Sequence, residues 1–109
     1  MRVWDLPPRR LCRHHLLGEH RELHAIWSIL TGNKHGYRRH PETLRWKGAL
    51  KALSLRHDRL VDEMGRRRYH HRSPLDRRRA TGRAKVTMFV DPPSRQRQLL
   101  RAKRCGCDM

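Results

Sequence analysis

The chain has 109 residues, of which 36% are hydrophobic, and a formal net charge of +17. This length predicts a single small domain, and the chain contains no run of about 18 apolar residues that could cross a membrane. The first residues also lack the apolar run of a signal peptide, so an intracellular protein is expected. The excess of lysine and arginine favours nucleic acid as the partner, with ribosomal-type and membrane-surface binding as minor alternatives.

The first helix is predicted after an extended lead of about twelve residues that Pro7-Pro8 interrupts. It is expected over about residues 13–30, because side chains spaced by four and three residues form one packing stripe: Leu16, His20, Leu23, Trp27 and Leu30. Thr31-Gly32-Asn33 is expected to end this helix, since glycine and asparagine accept the left-handed backbone of a helix cap.

A second helix is predicted from Pro41, after a basic loop that covers residues 34–39. Proline is favoured in the first turn of a helix, and the negative charge of Glu42 interacts favourably with the positive N-terminal end of the helix dipole. The helix is expected to end between Met64 and Arg68, because its packing stripe continues to Met64: Trp46, Leu50, Leu53, His57, Leu60 and Met64.

The last third of the chain predicts a long loop and a third helix. Residues 66–85 are rich in arginine and contain turn signals, so they indicate a loop with at most one short helical turn. The highly basic third helix is expected from Pro92-Pro93-Ser94 to about Lys103, with Leu99 and Leu100 directed inward, and residues 104–109 are expected to form a flexible tail. The chain therefore predicts an all-α fold, with one domain over residues 1–109, three main helices and long basic connecting loops.

The cysteines do not predict a disulfide framework. Cys12, Cys105 and Cys107 are odd in number, and no export signal is expected. The Cys-Gly-Cys sequence near the end of the chain allows a metal site, but reduced thiols in the tail are the preferred interpretation.

The histidines also give only a weak metal signal. His20 and His24 have the spacing of zinc-binding helices, but the zinc-protease pattern requires a glutamate directly after the first histidine, and Glu22 lies two positions on. The His14-His15 and His70-His71 pairs are interpreted as polar surface or phosphate contacts. No metal site is therefore expected.

The most informative segment is His15-Leu16-Leu17-Gly18-Glu19-His20-Arg21-Glu22-Leu23. On a helix, His15, Glu19 and Glu22 share a face next to the packing stripe, although a solvated charge pair would show the same spacing. Together with the start Met1-Arg2-Val3-Trp4, this segment resembles the pyrimidine dimer DNA glycosylase/lyase family of the phage endonuclease V type. The family pattern is His-Leu-hydrophobic-small-Glu-aromatic-Arg-Glu-Leu, and only its aromatic residue differs here.

The resemblance implies three catalytic residues. In the family the N-terminal α-amine is the nucleophile and a glutamate of the first helix lies beside it, which corresponds to Met1 and Glu22. Arg21 corresponds to the arginine that orients the substrate. Methionine removal requires a small second residue, so Arg2 is expected to keep Met1 in place. The implied reaction releases the damaged base, forms an imine and cuts the strand by β-elimination, without any cofactor.

The sequence therefore predicts a DNA repair glycosylase with AP lyase activity on pyrimidine dimers or a related lesion. The expected partner is damaged double-stranded DNA, bound by a monomer associated with the nucleoid in the cytoplasm, with no membrane partner. The residues predicted to contact DNA are Arg2, His15, Arg38, Arg39, Arg97 and Arg101. Two alternatives are a non-catalytic nucleic-acid-binding protein of the same fold and a metal-dependent nuclease.

Overall fold

The computed structural model describes residues 2–32 and 36–109, and these residues contain helices and no strands. The prediction of an all-α fold is confirmed. The α-helices are α1 (Arg13–Gly32), α2 (Pro41–Trp46), α3 (Leu50–Arg66) and α4 (Pro93–Lys103), and 3₁₀ turns occupy Pro8–Arg10 and Arg77–Arg79. Within the described residues, none of the helices combines the length and the apolar character needed to cross a bilayer.

The core lies between α1 and α3, as the spacing of their apolar residues predicts. On α1 the side chains of Leu16, Leu23 and Trp27 are buried, and on α3 those of Leu53 and Leu60 are completely buried. Positions three and four apart lie on one side of a helix, so each helix turns a continuous apolar stripe towards the other. This packing fixes the orientation of α1, and with it the side on which the polar residues of α1 are presented.

The prediction of one continuous helix from Pro41 to the region of Arg66 is wrong. The chain turns at residues 47–49 between α2 and α3, where Gly48 has a φ of +75°. That left-handed backbone is accessible to glycine at no steric cost, and it redirects the chain. Gly82, with a φ of +83°, packs so closely on this turn that a Cβ atom would overlap the carbonyl oxygen of Gly48.

The arginine-rich loop supplies hydrogen-bond acceptors for the first backbone N–H groups of α3, a helix that has no side-chain cap. The backbone N–H groups of Lys51 and Ala52 donate to the carbonyl oxygens of Thr81 and Arg83, at 2.7 and 3.0 Å. The first N–H groups of a helix have no partner within the helix, so these carbonyl groups supply the missing acceptors. Between α3 and α4 the structure has one short helical turn, at Arg77–Arg79.

The two ends of the chain pack against the helices. Val3, Trp4 and Leu6 of the lead are buried in the core, as is Leu100 of α4. At the other end, the N–H of Asp108 donates to the carbonyl oxygen of Arg10 at 2.7 Å. The tail over 104–109 therefore lies beside the start of α1, while its flexibility stays a prediction.

Candidate active site and nucleic-acid interface

An open cavity of about 500 Å³ lies between the lead, the first half of α1 and α4. The lead contributes Arg2 and Trp4 to its wall, and α4 contributes Leu99 and Lys103. The residues from α1 share one face of that helix: His14, His15, Gly18, Glu19 and Glu22. The volume lies in the range of about 300–1,000 Å³ that is typical of sites for small molecules or single nucleotides.

Three of the residues predicted from the sequence meet at this cavity, namely Arg2, His15 and Glu22. Glu22 is one helical turn away from Gly18. Gly18 leaves open space at the cavity, since, apart from the adjoining helix backbone and its two chain neighbours, no heavy atom lies within 4 Å of the position that a Cβ would take. A ligand could therefore approach the helix backbone beside the Glu22 carboxylate.

The two glutamates at the cavity differ in their partners. The carboxylate of Glu19 is buried and accepts two hydrogen bonds from Arg56, at 2.6 and 2.9 Å. Glu22 is partly exposed and has no hydrogen bond or ion pair with any residue in the described part of the chain. Glu19 thus holds α1 against α3, whereas the Glu22 carboxylate has no such partner in residues 2–32 and 36–109.

Arg2 is held in position at the cavity by two contacts. Its Nη1 atom donates to Asp91 Oδ2 at 2.8 Å, and its guanidinium lies 5.0 Å from the centre of a Trp4 ring. The side chain keeps about 30% of its surface exposed. Arg2 can therefore contact a phosphate while its orientation is limited by Asp91 and Trp4.

The lead itself is fixed by a buried polar network around Asp5. Gln96 of α4 accepts from the Asp5 backbone N–H at 2.7 Å and donates to its carboxylate at 2.9 Å. Arg45 donates to the same carboxylate and also to Glu42, a buried carboxylate that additionally accepts from the indole N–H of Trp46. Burial raises the pKa of Glu42, while Arg45 opposes this shift. The network joins the lead to α2 and α4, and it thereby limits the position of Arg2 at the cavity.

The remaining predicted site residues lie outside this cavity. Arg21 is exposed on α1 and is not part of the cavity wall, and Met1 lies outside the described residues. Arg38 and Arg39 border a separate cavity of about 460 Å³ beside the end of α1. On α4, Arg97 is partly buried, and Arg101 is exposed and donates to the carbonyl oxygen of Met109 at 2.6 Å.

The fold brings together two clusters of histidine and cysteine whose members are spread over separate segments of the chain. One contains Cys12, His15, Cys105 and Cys107, and the other contains His20, His24, His57 and His71. The spacing of Cys12 to His15 and the Cys-Gly-Cys sequence were the only local signals of the first cluster. Only the tertiary fold places Cys12 and His15 beside Cys105 and Cys107.

Three histidines of the four-histidine cluster, His20, His24 and His57, favour the neutral imidazole. Burial, together with the neighbouring histidines, lowers the pKa of His20 to about 4. The same causes lower the pKa of His24, and burial is the largest cause of the lowered pKa of His57. A metal ion binds the neutral form of an imidazole, and these three histidines are in that form at neutral pH.

Comparison with protein families matches residues 1–77 to the model of the pyrimidine dimer DNA glycosylase family. The matched part contains the lead, α1, α2 and α3, and thus all residues of the cavity wall except those of α4. Comparisons with curated proteins and with solved structures gave no significant match.

Proposed function

The chain belongs to the pyrimidine dimer DNA glycosylase family, and we propose that it releases the damaged base and then cuts the DNA strand as an AP lyase. Family membership implies a DNA substrate. The proposed substrate is double-stranded DNA that contains a pyrimidine dimer or a related lesion. The proposed nucleophile is the α-amine of Met1, with Glu22 as the assisting carboxylate and Arg21 as the residue that orients the substrate.

The proposed reaction suits an α-amine. Such an amine has a pKa of about 7.7–8.0, so a substantial fraction is neutral and nucleophilic near pH 7, unlike the side chain of lysine. The amine attacks C1′ of the damaged nucleotide, and the bond from C1′ to the base breaks with its electron pair passing to the base. Loss of a proton from the amine and opening of the sugar ring give an imine at C1′.

The imine then permits strand cutting. It acidifies C2′, so removal of a C2′ proton breaks the bond between C3′ and its oxygen, and the phosphate on the 3′ side leaves. Glu22 would stabilise the cationic sugar and transfer protons in these steps. The proposal needs no cofactor in the chemical steps.

The arrangement of Arg2 and Glu22 is the observation that carries this proposal. Arg2, which follows the proposed nucleophile in the chain, lines the same cavity as Glu22. Glu22 has no competing partner among the described residues, and the open space beside Gly18 leaves room for a sugar. A lesion within a duplex must leave the base stack before it can enter such a cavity, so we expect one nucleotide to be extruded.

The net charge of +17 supports binding along the DNA backbone. Leu30, which borders the Arg38–Arg39 cavity, lies eight residues after Glu22 on α1, which corresponds to about 12 Å along the helix axis. We propose that Arg38 and Arg39 contact phosphates several nucleotides away from the lesion, while Arg2, Arg97 and Arg101 contact phosphates near the cavity.

His15 is a weaker candidate for a phosphate contact, because its Nδ1 atom lies 3.1 Å from Cys12 Sγ. With DNA as its substrate, the protein is proposed to act as a monomer at the nucleoid in the cytoplasm.

Trapping with borohydride tests the proposal. The protein is incubated with a duplex that carries one thymine dimer, with and without borohydride, and an undamaged duplex serves as the control. Borohydride reduces an imine to a stable amine, so we expect a covalent protein–DNA adduct only with the damaged duplex. A protein that binds both duplexes but neither cuts nor forms an adduct would be the non-catalytic binding protein, and the proposal would be wrong.

A duplex with one abasic site separates the two activities. Strand cutting there without any reaction on the dimer would support the lyase step and contradict the proposed lesion. Mass spectrometry of the adduct locates the crosslink, which we expect on the peptide that begins with Met1. A crosslink on a lysine such as Lys34 or Lys47 would contradict the role of the α-amine.

A further inference from the structure

Three thiols and one imidazole converge where the end of the chain meets the start of α1. The Sγ atoms of Cys12, Cys105 and Cys107 and a ring nitrogen of His15 all lie within 4.8 Å of one another. Nδ1 of His15 is 3.1 Å from Cys12 Sγ and 3.5 Å from Cys107 Sγ. Cys105 Sγ is 3.4 Å from Cys107 Sγ, and the three cysteines form no disulfide.

These separations correspond to four ligands around one ion. Zinc–sulfur bonds of about 2.3 Å and zinc–nitrogen bonds of about 2.0–2.1 Å, arranged as a tetrahedron, place neighbouring ligand atoms about 3.3–3.8 Å apart. Three sulfurs and one nitrogen are also a ligand set that occurs in structural zinc sites. Soft thiolates select zinc over magnesium or calcium, which prefer oxygen ligands.

The surroundings of the cluster suit sulfur ligands. The backbone N–H of Cys12 donates to Cys107 Sγ at 3.1 Å, which is the kind of contact that stabilises a sulfur ligand. Cys12 directly precedes the first residue of α1. Cys12 and His15 lie three positions apart at the helix start, so both can point to one ion.

We propose that Cys12, His15, Cys105 and Cys107 bind a structural zinc ion that joins the C-terminal tail to the start of α1. The site would link residues 95 positions apart in the chain, and it would orient His15, which forms part of the cavity wall. This inference does not depend on the proposed glycosylase activity, because a structural ion takes no part in the amine chemistry.

Metal analysis and cobalt substitution of the full chain test this site. We expect bound zinc after purification, and, after replacement by Co²⁺, an intense sulfur-to-cobalt charge-transfer band in the near ultraviolet. The C105S/C107S double variant should lose one equivalent of metal and the band. The matched control is H14A, which removes the exposed neighbour of His15 and should keep both.

The cobalt spectrum of the unchanged protein decides the proposal even if the double variant does not fold. The absence of the charge-transfer band in that protein would overturn it. So would an intact mass that is lower by two hydrogens under native conditions, since this mass would show a disulfide in place of the metal ligands.

The four-histidine cluster carries a second, independent proposal. His20 and His24 of α1, His57 of α3 and His71 of the following loop contribute nitrogens that all lie within 4.8 Å of one another. Nε2 of His20 and Nε2 of His24 are 3.2 Å apart, close to the spacing of about 3.3 Å between two nitrogens on tetrahedral zinc. The centres of neighbouring rings are 4.5 to 5.3 Å apart.

Two ring nitrogens of this cluster are buried without a hydrogen bond. Nε2 of His57 and Nε2 of His71 have no partner among the described residues. A buried polar atom without a partner is costly, and a shared ion would satisfy both. On the other side of the His57 ring, Nδ1 lies 3.4 Å from Asp58 Oδ1, which is the position of a carboxylate that orients a metal-binding histidine.

We infer that these four histidines bind a second zinc ion, which links α1 to α3 and to the loop after α3. The C105S/C107S variant should therefore retain one equivalent of zinc, and its cobalt form should show only the weak visible bands of a nitrogen-coordinated ion. H57Q/H71Q should instead lose one equivalent and retain the charge-transfer band, while H70Q, which changes an exposed neighbour, should lose none. A C105S/C107S protein that is folded by circular dichroism and binds no metal would overturn this second site.

X-ray absorption at the zinc edge tests whether both zinc sites are present without the use of any variant. The unchanged protein should show an average of sulfur and nitrogen ligands that corresponds to one Cys₃His site and one His₄ site. A spectrum without a sulfur shell would overturn the first site, and a spectrum that fits the Cys₃His site alone would overturn the second.

Discussion

The guanidinium of Arg56 donates to both carboxylate oxygens of Glu19, at 2.6 and 2.9 Å, and both side chains are buried. Arg56 also donates to the carbonyl oxygen of Leu6 at 2.9 Å. One side chain of α3 therefore holds both α1 and the lead. Because Glu19 lies one turn from Glu22, this ion pair determines where the candidate catalytic carboxylate stands relative to the start of the chain.

Replacing Arg56 with alanine should reduce the free energy of unfolding by about 3–5 kcal/mol, since it removes the cation that pairs with the buried Glu19 carboxylate. The matched control is R66A on the same helix, whose ion pair with Glu63 involves an exposed arginine and should contribute at most about 1 kcal/mol. Urea unfolding of both variants measures the difference. Equal losses would show that the buried pair has no special role in stability.

Replacing Glu22 with glutamine should abolish strand cutting and leave DNA binding intact. The substitution keeps the size of the side chain and breaks no contact among the described residues, so the free energy of unfolding should change by less than about 1 kcal/mol. D62N is the control, because Asp62 is exposed on α3 and lines a different cavity. Cutting by E22Q at the rate of the unchanged protein would mean that Glu22 is only a solvated carboxylate.

Blocking the α-amine should abolish both base release and the borohydride adduct. A cleavable N-terminal fusion, assayed before and after release of a native Met1, compares the blocked and free amine in one preparation. The rate after release should rise with pH to about 8, since the neutral amine is the reactive form. Full activity of the uncleaved fusion would point to another nucleophile.

Two substitutions of Gly18 should have different effects: alanine should change the free energy of unfolding, and methionine should restrict access to the cavity. Alanine at this helix position should raise the free energy of unfolding by about 0.5–1 kcal/mol, because glycine is costly within a helix and open space surrounds the new methyl group. Methionine should extend into the cavity and slow the reaction with the dimer. Gly65, which also has open space beside it but lies at the end of α3, is the control. A reaction as fast in G18M as in G65M would indicate that the lesion binds elsewhere.

The DNA affinity should fall steeply with salt concentration, because the arginines displace counterions from the phosphates. R39A should reduce the slope of log affinity against log salt by about 1, the value expected for one lost phosphate contact. R59A is the control, since Arg59 borders a cavity that also contains Asp62 and Glu63. Equal slopes for R39A and R59A would place Arg39 outside the DNA interface.

The sequence alone determined the helical class, the extent of α1 and the grouping of His15, Glu19 and Glu22 on one face. These features follow from local periodicity, because residues three and four apart on a helix share a side whatever the rest of the chain does. The family pattern around Glu22 and the basic character of the surface are likewise properties of short segments or of composition.

The tertiary structure decided the features that depend on the path of the chain. The chain turns at Gly48 and Gly82 packs closely against that turn, while the loop after α3 supplies the acceptors for the start of that helix. Glu19 and Glu22 look equivalent in the sequence, yet only Glu19 meets Arg56, which is 37 positions away. The histidine and cysteine clusters join segments up to 95 positions apart. No local pattern encodes such contacts, because they exist only once the apolar stripes of α1 and α3 have packed and brought distant segments together.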